Sequence, residues 1–260
     1  MRLARTAVMI GAALAAITIV SGACSSTADD DRAERGQEEI LTDTAAAMAN
    51  VESATFTIEQ TGAVVFIDDA GQLAFKAADG RFAGPASSEA LVTIDALGFT
   101  TQVGAVVIDG EMWISDPLTG DWTEAPDNVT FDPAALFDDD GFPALLTEAA
   151  ASESTELVDG DVEPADDTED AETEEADGDD NSQNRHHLRT DVAAARVAAL
   201  TGGLVAEGSE VDLWIDADTD RVVELRFEVD INEEVSSWRM TIGDYDADVM
   251  ITPPELGSSG

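Results

Sequence analysis

Residues 211–227 read VDLWIDADTDRVVELRF, and this stretch decides the fold class. Val211, Leu213 and Ile215 alternate with Asp212 and Trp214. After an acidic turn at 216–220 the alternation resumes and runs to Asp230. A period of two belongs to strands half buried on one face, and Asp-rich punctuation between two such runs marks an antiparallel hairpin. Working outward, the same period recurs at Phe56 and Ile58, at 90–97, 100–108 and 111–115, and at 236–242. Asp79-Gly80 and Asp109-Gly110 read as further tight turns. Helical periodicity enters at three places: from Glu38, with Ile40, Leu41, Ala45, Met48 and Val51 on one stripe; at 132–150, broken near Gly141 and Pro143; and at 191–200. Strands joined by short turns, with a few helices, predict an α+β fold: a meandering antiparallel sheet with one apolar face against which the helices pack.

Composition bounds the partners. The 260 residues carry 56 Asp plus Glu against 12 Lys plus Arg, a net charge of -44, yet 44% are hydrophobic. A chain this apolar builds a core and is not a disordered polyanion. Its charge repels nucleic acid and anionic lipid surfaces at the ranges where steering acts, so no nucleic-acid partner is expected. Lys76 is the only lysine, and aromatic residues are 5%, too few for base-stacking platforms.

Residues 1–23 have the form of a secretory leader: Arg2 and Arg5, then an apolar run at 7–20 too short to span a bilayer. The run closes on Val20-Ser21-Gly22-Ala23-Cys24, which resembles the lipobox of bacterial lipoproteins, with Ser21 where Leu is commoner. That resemblance implies a diacylglyceryl group on Cys24, cleavage before it, and a protein held by its lipid on the outer face of the cytoplasmic membrane. A lone cysteine suits the role, since it has no internal partner and an oxidising compartment disfavours a free thiol. Residues 24–37 read as a flexible tether. The domain itself is expected over 38–256, interrupted at 159–183 by an insert whose first 22 residues hold 13 acids and no base. Such a segment buries too little surface to fold alone, and its flanks at 152–158 and 184–190 read as the arms of one hairpin.

The stretch at 105–146, AVVIDGEMWISDPLTGDWTEAPDNVTFDPAALFDDDGFPALL, resembles the central signature of the LppX/LprAFG lipoproteins of mycobacteria and their relatives. Its features are an apolar strand into an Asp-Gly turn, an aromatic strand, a Trp after a short loop, an Asp-Pro helix start and a Gly before Leu-Leu. The closing runs at 211–227 and 238–255, the latter WRMTIGDYDADVMITPPE, are similar to that family's last strands and Pro-Pro end. The resemblance covers nearly all of the chain after Cys24 except the insert. It implies a strongly curved antiparallel half-barrel of the LolA/LolB kind, with helices on the concave face around an apolar cavity. It also implies binding of triacylated lipid or glycolipid and its movement from the inner membrane toward the cell surface, with a lipid transporter as a possible partner.

Strand parity names the residues expected to line that cavity. Asp95 and Gln102 mark outer faces, leaving Val92 and Ile94, and Val103 and Val107, to face inward. Alternation adds Phe56 and Ile58, Val223, Leu225 and Phe227, and Met240 with Ile242. Periodicity does not separate a cargo-lining residue from ordinary core. The alanine-rich helical segments TAAAMA and VAAARVAAL leave two options: room over the sheet for acyl chains, or close approach of helix to sheet. The competing class is an interaction module of the same fold, with a filled core and a protein partner such as a transporter or signalling protein.

No catalytic or cofactor-binding inventory accompanies this. His186 and His187 are adjacent on a predicted strand and so point to opposite faces. The acidic run at 216–220 lacks the Gly and Glu of a calcium loop, having Arg221 and Phe227 at those places. Neither a GxSxG, an HExxH, a P-loop nor a dinucleotide fingerprint occurs. No enzyme activity, metal or cofactor is therefore expected. The insert holds 13 of the 56 acids, so most of the excess lies on the folded part. With a single lysine this points to a salty exterior, where screening relieves self-repulsion. Thermal melts at low and high NaCl should show a rising melting temperature, and a flat or falling response would count against that reading.

Overall fold

Strand β1 (Ser53–Gly62) sits at the centre of an 11-stranded sheet and is paired on both sides, with β2 (Leu73–Ala83) and with the last strand, β11 (Glu234–Gly243). The computed structural model describes residues 35–68, 71–96, 98–126, 133–158 and 184–256. Beyond β2 lie β3 (Ser87–Ala96), β4 (Phe99–Ile108), β5 (Glu111–Ser115) and β6 (Trp122–Glu124). Beyond β11 lie β10 (Arg221–Ile231), β9 (Ser209–Asp216), β8 (Arg185–Val192) and β7 (Glu156–Leu157). Every neighbouring pair is antiparallel.

The two sheet edges, β6 and β7, are consecutive in sequence, so the chain between them must cross the open side. It does so through a 3-10 turn, Pro133–Leu136, that touches β2 and β3, and through helix α2 (Phe142–Ala150), which touches β8 on the opposite wing. Helix α1 (Gln37–Met48) packs on α2 and β10, and the short helix α3 (Ala194–Leu200) on the 3-10 turn. Contacts to both wings from one crossing segment require a curved sheet. The result is an α+β half-barrel with helices on its concave face.

Several expectations are corrected. Asp79 and Gly80 do not turn the chain but lie inside β2, where the absence of a side chain on Gly80 serves packing. A Cβ on Gly80 would come 2.3 Å from the Phe56 ring and 2.6 Å from the Glu89 carbonyl oxygen. The helical reading at 191–200 starts too early, since Asp191 and Val192 finish β8. The segment at 132–150 is broken as expected, into the 3-10 turn and α2. Asp109-Gly110 does form a turn, both residues at positive φ, 51° and 83°. At the β9–β10 hairpin the Asp216 carboxylate accepts hydrogen bonds from the Asp218 and Thr219 N–H groups, a structural use of the acidic run. Cys24, most of the tether and the acidic insert at 159–183 lie outside the described residues.

Candidate functional site

The inner face is apolar along nearly every strand. Phe56 and Ile58 of β1, Val92 and Ile94 of β3, Leu225 and Phe227 of β10, and Met240 and Ile242 of β11 are all buried in one contiguous cluster. The helices complete it with Ile40, Leu41 and Met48, with Phe142, Leu145 and Leu146, and with Val197 and Leu200. Val107 is buried on the same face, and Val103 is partly buried against the cluster. Val223 departs from the expected set. A β-bulge between Val222 and Glu224 breaks the alternation, so Val222, fully buried, takes the inward place and Val223 is only half buried.

The bulge has a partner on the outer face. It leaves Glu224 outside, where its carboxylate accepts hydrogen bonds from Arg226 at 2.6 Å and Arg239 at 2.8 Å. Arg226 lies over the ring of Trp214, 4.9 Å away, and His187 stacks on Trp214 with ring centroids 4.4 Å apart while bonding to Asp212 at 2.7 Å. The two histidines do not meet: His187 belongs to this outer stack, whereas His186 sits beside Arg35, 3.4 Å away. Burial, and then the Arg35 charge, pull His186 below the usual histidine range. Among the described residues no group of three or more His, Cys, Asp or Glu side chains is placed to hold a metal ion.

Aromatic rings occupy the space beneath the crossing segment. Phe137, just after the 3-10 turn, stacks on Phe82 at 4.5 Å and meets Phe56 at 6.4 Å and Phe142 at 6.0 Å. Farther along, Trp238 is stacked between Phe75 at 5.5 Å and Phe227 at 5.9 Å. Of the alanines in and just after α1, Ala45 packs partly buried against this interior, and Ala46 and Ala49 are exposed. Ile40, Leu41, Thr44 and Met48 are buried, while Ala45 also borders a cleft of about 290 Å³ between α1 and α2, shared with Ala150. Small residues here bring helix to helix, not helix to sheet.

Coverage is uneven along the strands. On β4 the inward series runs from buried Val107 and Ala105, through half-buried Val103 and Thr101, to Phe99, which is 77% exposed. The inner face therefore opens toward the Phe99 end. On the outer face, an open groove of about 950 Å³ lies among polar side chains including Glu59, Asp212, Arg226 and Arg239. Another, of about 460 Å³, is bordered by Leu91, Val106 and Trp122; Gly104 makes room for that tryptophan, since a Cβ there would fall 2.5 Å from its ring. Tyr245, partly buried between α1 and β10, donates its hydroxyl proton to the Val222 carbonyl, and desolvation of its ring hydroxyl pushes its pKa far up. No sequence periodicity singled out Tyr245 or Trp214. Their roles come from neighbours distant in the chain.

No protein-family model matches the chain, and no curated protein matches its sequence. Among solved structures it is similar to LprF from Mycobacterium bovis, at 17% identity and a TM-score of 0.57, over 85% of this chain and 97% of that one. Mycobacterium tuberculosis lipoprotein LppX aligns at 14% identity and a TM-score of 0.46, over 83% and 98%. A DUF1329 family protein from Desulfovibrio piger aligns at 11% and 0.32, over 84% and 96%. The similarity to LprF establishes a shared fold across nearly the full length of that protein.

Proposed function

We propose that this chain is a lipid-anchored carrier that holds a triacylated lipid or glycolipid against the inner face of the half-barrel. It would carry that cargo from the cytoplasmic membrane toward the envelope surface, with no covalent chemistry. One observation supports this above the others: a sheet whose inner face is apolar on nearly every strand has helices laid across its open side and a half-covered strip leading out past Val103 to Phe99. The physical need is plain. An acyl chain of about 16 carbons exposed to water costs on the order of 12 kcal/mol, so a carrier must enclose its cargo. The order of sequence motifs at 105–146 and 238–255 and the fold shared with LprF support the same reading.

Native mass spectrometry with lipid extraction tests it. The full-length protein purified from a lipid-rich host should carry lipid mass beyond that of its own Cys24 modification. Val103→Trp, which fills the half-covered strip without entering the packed interior, should reduce occupancy several-fold while the protein stays folded. Unchanged occupancy in that variant would remove Val103 from the route. The packing of Phe137 and Trp238 into the interior favours a second reading, a filled-core interaction module whose partner is a protein. Complete absence of co-purified lipid would select it.

A further inference from the structure

The two ends of the half-barrel differ in kind. At one end the strands are joined by the turns at 84–86, 109–110 and 217–220, and the chain leaves β11 through 244–248. This rim is acidic, with Asp109, Asp218, Asp220, Asp244, Asp246 and Asp248. The folded chain also enters here, because Arg35 bonds to Asp220 at 2.7 Å. The insert attaches at the same rim: the Ala217 N–H donates to the Asn184 carbonyl, and the Asn184 amide bonds Asp218.

At the far rim, a strand length of about 33 Å away, lie the connections 116–121, 193–208 and 232–233 and the described parts of those after β1 and β3, 63–68, 71–72 and Gly98. They and the strand ends beside them present Val64, Phe66, Phe99, Leu118 and Val235, which are five of the nine large apolar side chains exposed among the described residues. Phe99 is 77% and Leu118 92% exposed. Single exposed apolar residues are ordinary, but several on separate hairpins at one rim are not. The tips are also braced. Asp116 accepts hydrogen bonds from the Leu118 and Thr119 N–H groups, and Asp68 from those of Gln72 and Leu73. The hairpin tips that carry these side chains have no lysine or arginine, and Arg196 of the 193–208 connection is engaged by Glu148 and the Asp140 carbonyl.

We propose that the far rim docks on a lipid surface with uncharged or zwitterionic headgroups, inserting Phe99, Leu118 and Phe66. The tips stand on separate loops and form no groove, so a deformable apolar phase fits them better than a folded partner. A second copy of this rim would bring Asp68, Asp116, Asp121 and Glu233 against themselves. An anionic membrane meets the same carboxylates, and the nearest lysine, Lys76, is already paired with Asp95 at 3.7 Å. The proposal deepens the carrier reading, on which it rests for its purpose. Phe99 continues the inward series of β4, so cargo leaving past Val103 would emerge at the docked rim.

The test uses the full chain with Cys24→Ser, a single new cysteine carrying an environment-sensitive dye, and vesicles. Dyes at Phe99→Cys or Leu118→Cys should shift to the blue on phosphatidylcholine, while one at Asp218→Cys on the near rim should not. Partition into phosphatidylglycerol at low salt should be at least about tenfold weaker, with partial recovery at 1 M NaCl. Phe99→Ser with Leu118→Ser, read from a dye at Phe66→Cys, should lower partition at least about tenfold, with the thermal melt unchanged. No shift on phosphatidylcholine, an equal shift at Asp218, or tighter binding to phosphatidylglycerol would overturn the proposal. Lipid occupancy measured on the same variants separates the two ideas. Cargo retained without docking defeats only the docking surface, whereas docking without any cargo defeats the carrier reading.

Discussion

Gly141→Ala should lower the melting temperature by roughly 6 to 12 °C, corresponding to about 3 kcal/mol in a domain of this size. Gly141 is the corner at which the 3-10 turn passes into α2. Its N–H donates to the Asp138 carbonyl, and its own carbonyl accepts the first bond of the helix, from Leu145. A Cβ added here would lie 2.3 Å from the Leu136 carbonyl oxygen and 2.4 Å from that of Ala135. Neither is the far end of a flexible side chain, so the corner itself must open. The crossing segment would lift from β2 and β3 on one wing or from β8 on the other, exposing Phe142 and Leu145. Gly36→Ala is the control, because nothing lies within 4 Å of the corresponding position, and its melting temperature should stay within about 2 °C of the parent. Circular-dichroism melts of both variants decide the matter. Equal, small shifts would show that the corner yields at little cost.

What the sequence revealed of this fold follows from how local each determinant is. Alternation in β1, β3, β4 and β11 was readable because those strands keep an unbroken period at the residues used. Asp95 and Gln102 marked the outer face on neighbouring strands, and the structure pairs Thr93 with Gln102 and Val92 with Val103. The same reasoning failed at Val223 because Val222-Val223 offers two equivalent apolar residues. The choice between them is made by Glu224, held on the outer face by Arg226 from its own strand and Arg239 from the next. That pairing is long-range and leaves no mark in the period. Asp79-Gly80 misled for a related reason. The glycine of a pair that usually turns a chain answers here to the Phe56 ring and the Glu89 carbonyl, which leave no room for a Cβ. The alanines of α1 were ambiguous between loose and tight packing, and helix-to-helix contact with α2 resolves the choice. Composition said nothing of the contrast between the rims, since the exposed apolar tips and the acidic turns alternate along the chain and separate only when the meander folds.

Phe137→Ala should cost about 3 to 5 kcal/mol in chemical denaturation, and the sign of its effect on cargo separates the two functional readings. The ring fills the space between the crossing segment and the sheet, stacked on Phe82 and against Phe56 and Phe142. Removing it leaves a void lined by aromatic and aliphatic side chains, and a void of that kind stays dry and takes apolar ligands. If the interior holds acyl chains, the void adds to the site and the folded fraction should carry more lipid than the parent, although it is less stable. If the interior is a filled core and the partner is a protein, stability should fall by the same amount while lipid occupancy stays at zero. A loss of both stability and lipid would mean that Phe137 itself grips the cargo, which would shift the route from the Val103 strip to the space beneath the 3-10 turn. Denaturation and native mass spectrometry on one purified variant therefore assign Phe137 to packing, to exclusion or to binding, because each role moves the two readouts in a different combination.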